Sequence, residues 1–443
     1  MINRRHLIGA IAGLSLAGAA SAALAQGQPV EIQWWHAMGG ALGEKVGQIA
    51  DAFNKSQTDY KVVAVNRGTY PETMTAAIAA FRSGNPPHVV QVFEVGTATM
   101  MAAKGAVKPV YQLMKEAGEP FDSKSYLPAV TGYYTTAAGE MLSFPFNSST
   151  PVLYYNVDAF KKAGLDPSKP PKTWPEVGEY AKKLQAAGYA CGLTSTWMGW
   201  IQVENFSAWH NVPIGTKGNG FSGLDTVLEI NSPLHVRHYT QFNDWAKTKA
   251  FAYGGRRGDA GVKFTSGECA MMAESSAGYA AVKRTKQGFD FAVSTLPYWP
   301  DVKGAPQNTI IGGASLWVMN GRKPDEYKGV AKFFAFLSRP DVQADWHQFS
   351  GYLPITPAAY ELTKKEGFYD KNPGTETGIL QMIDKPPTEN SKGLRFGSMV
   401  QIRDVVDEEF EGMFAGKQTA QETADKMVSR GNALLRQFER DNK

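Results

Sequence analysis

Only two of the 443 residues are cysteine and only seven are histidine. No CxxC and no HExxH occurs among them, so the chain offers no pattern for a zinc-protease centre or for thiol redox chemistry. Charge of one sign is missing as well. With 46 basic against 42 acidic residues, there is no field to draw in nucleic acid or an anionic membrane. Past the N-terminal segment, nothing approaches the roughly 20 consecutive apolar residues of a membrane span. Neither a Walker loop nor a GxGxxG after a first strand is present, and no serine lies in a GxSxG elbow. Catalysis is therefore not expected. Low-complexity tracts and repeats of solenoid period are also absent.

What is present begins with MINRRHLIGAIAGLSLAGAASAALAQ, where Arg4 and Arg5 precede a short apolar stretch and Ala23 to Ala25 offer an A-x-A cleavage site. This reads as a removable export signal over residues 1–25, of the Sec or twin-arginine type. The mature chain is then expected to be soluble and periplasmic. At roughly 418 residues it exceeds what one core usually supports, so two lobes with separate cores are expected. The 43% apolar content is ample for that. Cys191 and Cys269 enter a compartment where disulfides persist. A bridge and a pair of buried thiols are both open.

Strand and helix patterns alternate from the start of the mature chain. VEIQWW precedes LGEKVGQIADAFNKS, whose Leu42, Val46, Ile49 and Phe53 share one face. YKVVAV follows, then PETMTAAIAAFRSG with Pro71 at a helix start and Gly84 at its end, then HVVQVF. This order predicts a parallel sheet covered by helices, with ligand beyond the carboxyl ends of the strands. Tyr70 and Glu94 fall there, and a carboxylate at such a point is poorly explained as core. His36, after the first strand, reads as a packed or surface histidine. A second region, past residue 150, holds the aromatics Trp197, Trp200, Phe206 and Trp209 and a strand ending at Ser275 and Ser276. The last segment opens with a capping box, Thr419 to Glu422, and reads as a docking helix.

The stretches RSGNPPHVVQVFEVGT, FKKAGLDPSKPPKTWPE, FTSGECAMM, IIGGASLWVM and AKFFAFLSRPDVQADWHQFSGYLPITPAAY resemble the solute-binding proteins of ABC importers in the maltodextrin-type cluster. The likeness runs along nearly the whole mature chain. WWHAMGGALGEKV, FEVGTATMMAAKGAVKPVY, PFNSSTPVLYYN, WMGWIQVENFSAW, APQNTIIGGASLWVM and GLRFGSMVQIR are similar to the glycerol-3-phosphate-binding branch of that family. The resemblance implies a two-lobed α/β fold of the type II periplasmic binding class. Residues 26–147 and 314–350 would form the N-terminal lobe, and 148–313 with 351–443 the C-terminal lobe. Hinge crossings are expected near PFNSSTP, NTIIGG and GYLPIT. A monomer without cofactor or metal is implied, delivering ligand to the membrane subunits of an ABC permease.

Residue by residue, the resemblance assigns phosphate oxygens to Ser149, Ser275, the backbone of Gly313, Tyr352 and Arg403. Arg offers phosphate a planar fork of donors. Its bland alternative is a surface pair with Asp407 four residues on, and Arg395 is the nearest rival for the role. Glu94 and Tyr70 are assigned to ligand hydroxyls, and Trp197 and Trp200 to ligand carbons or else to lobe core. Because a carboxylate repels a phosphate, Glu94 is expected at the far, polyol end of the cleft from Arg403. Replacing Arg403 by alanine is then expected to weaken binding by several kcal/mol while the melting temperature barely moves. Glycerol 3-phosphate and diesters such as glycerophosphocholine fit this chemistry; the aromatic wall would suit the trimethylammonium group. A neutral oligosaccharide receptor is the alternative, and a periplasmic phosphodiesterase or glycosidase the third reading.

Overall fold

The computed structural model describes residues 28–136, 138–285 and 288–443; the export signal expected over 1–25 lies outside them. Among the described residues, no helix is long and apolar enough to cross a membrane. The first sheet starts as expected, with β1 (Val30–His36), β2 (Tyr60–Asn66) and β3 (Val89–Phe93) parallel and β1 in the middle. Helix Gly40–Ser56 buries Val46, Ile49 and Phe53 on it, the face its 3.6-residue pattern defines. Helix Tyr70–Arg82 opens with Pro71 in its first turn and with the Thr69 N–H donating to Glu72 at 2.6 Å, and Gly84 follows its end at φ +75°. Ordinary capping thus sets Tyr70 at a helix start beside the strand ends.

A distant segment then changes the sheet from parallel to mixed. Strand β4 (Val107–Lys108) and β5 (Phe144–Ser149) both pair with β10 (Gly312–Met319), which runs antiparallel beside β3. The second sheet has the order β7 (Cys191–Ser195), β8 (Cys269–Ser275), β6 (Pro151–Asn156), β9 (Phe291–Ser294). Thr150 alone separates β5 in one sheet from β6 in the other. Its carbonyl accepts from Ser276 N at 2.8 Å and its hydroxyl meets that of Thr309 at 2.5 Å. Leu353 N donates to Ser148 O at 2.7 Å. The segment PFNSSTP is therefore hydrogen-bonded to each of the other two with hinge-like composition.

The cores are not divided cleanly between the two sheets, although the second sheet has small clusters of its own around Tyr154 with Phe264 and around Trp200 with Trp209. One buried cluster, with Ile32, Trp34, Phe53, Val318 and Phe333, belongs to the first sheet and its helices. Another runs continuously from Trp35, Phe93 and Trp317 to Trp174, Phe206 and Phe410 of the second region. Helix Pro128–Tyr134 carries this continuity: the Tyr133 ring lies where any Cβ on Gly393 would fall. Length alone could not reveal that this helix packs against residues more than two hundred positions away. The cysteines are bonded: Cys191 and Cys269 are register partners in neighbouring parallel strands, with Cα atoms 4.6 Å apart.

Candidate functional site

The ends of β3, β5 and β8 and the start of β10 converge on a cavity of about 180 Å³ between the two sheets. Tyr70, Glu94, Ser149, Trp197, Trp200, Ser275, Gly313, Tyr352 and Arg403 all line it, although 333 positions separate the first from the last. Phe93, Glu274, Ala277, Gly278 and Gly312 complete the wall. The volume falls below the roughly 300–1,000 Å³ of drug-sized ligand pockets, so a small solute fits better than an oligosaccharide chain.

A polar chain beneath the cavity orients Tyr70. Gln91 Oε1 accepts from Ala37 N at 2.8 Å, so its Nε2 donates to Asn147 Oδ1 at 2.8 Å. Asn147 Nδ2 therefore donates to the Tyr70 hydroxyl at 3.0 Å. That oxygen accepts, and its proton is directed to the neighbouring Tyr352 hydroxyl. Stacking on Phe93, with ring centroids 5.3 Å apart, fixes the ring plane. Burial raises the pKa of both Tyr70 and Tyr352, so both stay protonated. His36 is packed, not exposed: Met38 N donates to its Nδ1 at 3.2 Å, and burial lowers its pKa to about 4.

Donors suited to an anion gather at the opposite wall. Ser275 Oγ accepts from Ala277 N at 3.1 Å, which leaves its proton available. Helix Gly278–Thr285 begins at the cavity, so its first amides and the positive end of its dipole border the same space. Gly313 holds φ +100°, and any Cβ there would collide with the carbonyl of Asn147. Only glycine allows β10 to pass so close to β5 at this point. A Cβ on the neighbouring Gly312 would run into the Trp200 ring.

The charged groups correct the expected two-ended cleft. Arg403 is buried on helix Met399–Phe414, and its Nη2 donates to Glu94 at 2.6 Å. Both Nε and Nη2 also donate to the two oxygens of Glu204, each at 2.7 Å. Glu94 thus sits against Arg403 and not at the far end from it. Desolvation decides this, because a buried guanidinium needs carboxylate partners whether or not ligand is bound. The surface pair with Asp407 is equally absent: Arg403 faces inward, and Asp407 is itself buried with its pKa pushed up to about 7. Burial works against the charge on Arg403, but Glu204 and Glu94 outweigh it and hold its pKa above the ordinary value. Burial likewise pushes the Glu94 carboxyl up, against the pull of Arg403. The rival Arg395 lies elsewhere, with Nη2 donating to the carbonyls of Gly132, Tyr133 and Thr135 at 3.0–3.1 Å.

Both tryptophans border the cavity, but differently. Trp200 is buried with Nε1 donating to Ile311 O at 3.4 Å, whereas Trp197 is half-buried in a left-handed conformation, φ +44°. Trp200 and Glu204 ride on Gly199–Asn205, a wide i→i+5 helix of the kind frequent at functional sites. Sequence reading missed Glu204 and Glu274. Each is an acid in a segment of mostly large apolar residues, WIQVENF and CAMMAES, and that was the available signal.

Comparison with known proteins agrees with this architecture. Residues 48–377 match the model of the bacterial extracellular solute-binding protein family. The chain belongs to that family. It is 56% identical over 414 residues to the sn-glycerol-3-phosphate-binding periplasmic protein UgpB of Yersinia enterocolitica, covering 93% of this chain and 94% of that protein. Against the protein of the same name from Salmonella typhimurium the identity is 52% over 445 residues, spanning the whole of both. Among solved structures, UgpB from Mycobacterium tuberculosis in complex with glycerophosphocholine superimposes with a TM-score of 0.75 at 20% identity, over 92% of this chain and 98% of that one. Maltose-bound MalE3 of T. maritima gives 0.74 at 19%, over 91% and 100%. These neighbours establish the two-lobed α/β fold of a family member.

Proposed function

We propose that this chain is the periplasmic solute-binding component of an ABC importer, capturing sn-glycerol 3-phosphate or a glycerophosphodiester and delivering it to the permease. The observation that carries this reading is the cavity wall itself. Hydroxyls of Ser149, Ser275, Tyr70 and Tyr352, a helix N-terminus and one guanidinium converge on a space sized for a small polar solute. The relatives named above, which bind sn-glycerol 3-phosphate, match nearly end to end.

In this reading Arg403 serves the ligand through Nη1, since Nε and Nη2 are held by Glu204 and Glu94. Glu94 Oε2 then accepts from a glycerol hydroxyl close by. The polyol and phosphate therefore meet along one edge of the Arg403–Glu94 pair, not at opposite ends of the cleft. Trp197 and Trp200 pack on the carbon backbone. Residues 26–147 with 314–350 and residues 148–313 with 351–443 act as the two lobes, and closure across the hinge around Thr150 signals the bound state to the membrane subunits. The protein acts as a monomeric receptor, not as a catalyst.

Titration calorimetry of the mature protein against glycerol 3-phosphate, glycerophosphocholine, maltose and inorganic phosphate tests this. Saturable heat with either glycerophosphate ester and none with maltose is expected; heat with maltose alone would refute it.

A further inference from the structure

Glu274, the penultimate residue of β8, has no role in the reading above, yet it borders the cavity directly beside Ser275. It is 8% exposed, and among the described residues no Lys, Arg or His pairs with it. Its Oε1 accepts from Ser275 N at 2.6 Å. The first residue of helix Gly278–Thr285 lies against it, so that a Cβ on Gly278 would come 2.6 Å from Glu274 Cγ. A carboxyl held this firmly at the mouth of an anion-binding helix end is out of place as core and, if ionised, would repel a phosphate.

Resting on the proposed function, we propose that Glu274 is a further ligand-contacting residue, entering the complex as a neutral carboxylic acid that donates a hydrogen bond to an anionic ligand oxygen beside Ser275. The proton comes from solvent, so capture of the phosphate ester takes up as much as one proton per site. Burial pushes the Glu274 carboxyl up to about 7, against the hydrogen bonds from Thr196 and Ser275 N that pull it down. In the empty site it is thus part ionised near neutral pH, and an adjacent phosphate drives it to the acid form. The groups facing it add no compensating cation. Tyr154 from β6 and Tyr279 from the helix Gly278–Thr285 are phenols, as is Tyr352 from the loop after Ser350. Gly261 approaches from the helix Gly261–Thr265, whose Lys263 is paired with Glu268 at 2.7 Å. Across the cavity, Arg403 is held by Glu94 and Glu204.

Calorimetry of the full mature chain with glycerol 3-phosphate, repeated in buffers of different ionisation enthalpy, measures the proton count directly. At pH 7.5 wild type is expected to take up more than about half a proton, and its Kd to rise about fivefold from pH 6 to pH 8, the roughly tenfold effect of Glu274 less the ester's own ionisation. The ester's own second ionisation near pH 6 changes its dianion fraction by only about twofold over that range. Glycerophosphocholine has no ionisation there and is expected to show the full rise of about tenfold. Glu274→Gln keeps a donor without a titrating proton, so its Kd should vary by no more than about twofold with pH and its uptake at pH 7.5 should be near zero. Equal uptake in wild type and Glu274→Gln would overturn the proposal by assigning the proton to another group such as Glu94. Should the variant fail to fold, zero uptake by wild type alone overturns it. Absence of any binding heat refutes the glycerophosphate reading and the proposal with it, whereas pH-independent binding refutes only the proposal.

Discussion

Replacing Arg403 by alanine is expected to destabilise the protein as well as to abolish binding. Sequence reasoning treated this arginine as a partner of the ligand alone, which predicts an unchanged melting temperature. In the structure it is the shared partner of Glu94 and Glu204, at 2.6–2.7 Å, with both acids almost fully buried. Removing one member of a buried ionic group leaves uncompensated charge and costs about 3–5 kcal/mol. At about 2–4 °C per kcal/mol for a lobe of this size, the melting temperature of Arg403→Ala falls by roughly 6–20 °C. The loss also depends on pH, with a definite sign. Without Arg403, burial acts unopposed on Glu94 and raises its folded-state pKa further. An acid whose folded pKa is raised adds no penalty below its unfolded pKa of about 4.3, and the penalty grows as pH rises towards the folded value. The variant should therefore approach wild type at pH 4.5 and diverge from it at pH 8. Thermal melts followed by circular dichroism at both pH values decide this. A variant that melts within 2 °C of wild type at pH 8 would refute the argument that the ion triad is structural.

Arg395→Ala should behave oppositely in the binding assay. It strips the donor from three backbone carbonyls, at about 0.5–1.5 kcal/mol each, so stability falls by about 2–4 kcal/mol in urea titrations while affinity for glycerol 3-phosphate stays within about twofold. A large affinity loss at wild-type stability would return Arg395 to the ligand. Gly313→Ala places a side chain at φ +100° against the Asn147 carbonyl and adds about 1–3 kcal/mol of strain. Because Asn147 positions the Tyr70 hydroxyl, affinity should drop together with melting temperature. Wild-type values for both would remove Gly313 from the argument.

Local rules accounted for much of the fold. The β-α-β-α-β opening follows from side-chain periods of two and 3.6 together with Pro71 and Gly84, all of which act within a few residues. Tyr70 and Glu94 were legible as site candidates for the same reason, since the end of a parallel strand is defined by its own sequence. Ser149, Ser275, Gly313, Tyr352 and Arg403 were not legible in that way. Each has an ordinary local explanation, and only the likeness to a family singled them out.

Tertiary structure alone decided which charges meet. Glu94, Glu204 and Arg403 are 309 and 199 positions apart in the pairs they form, and no periodicity relates them. A buried guanidinium must find carboxylates somewhere, but burial is a property of the assembled lobes. The same holds for β10, which enters the first sheet antiparallel from more than two hundred residues away, and for helix Pro128–Tyr134, whose Tyr133 packs on Gly393. Chain-local chemistry determined the elements and two of the cavity residues. Packing determined the electrostatics, because desolvation is felt only once both lobes surround the site.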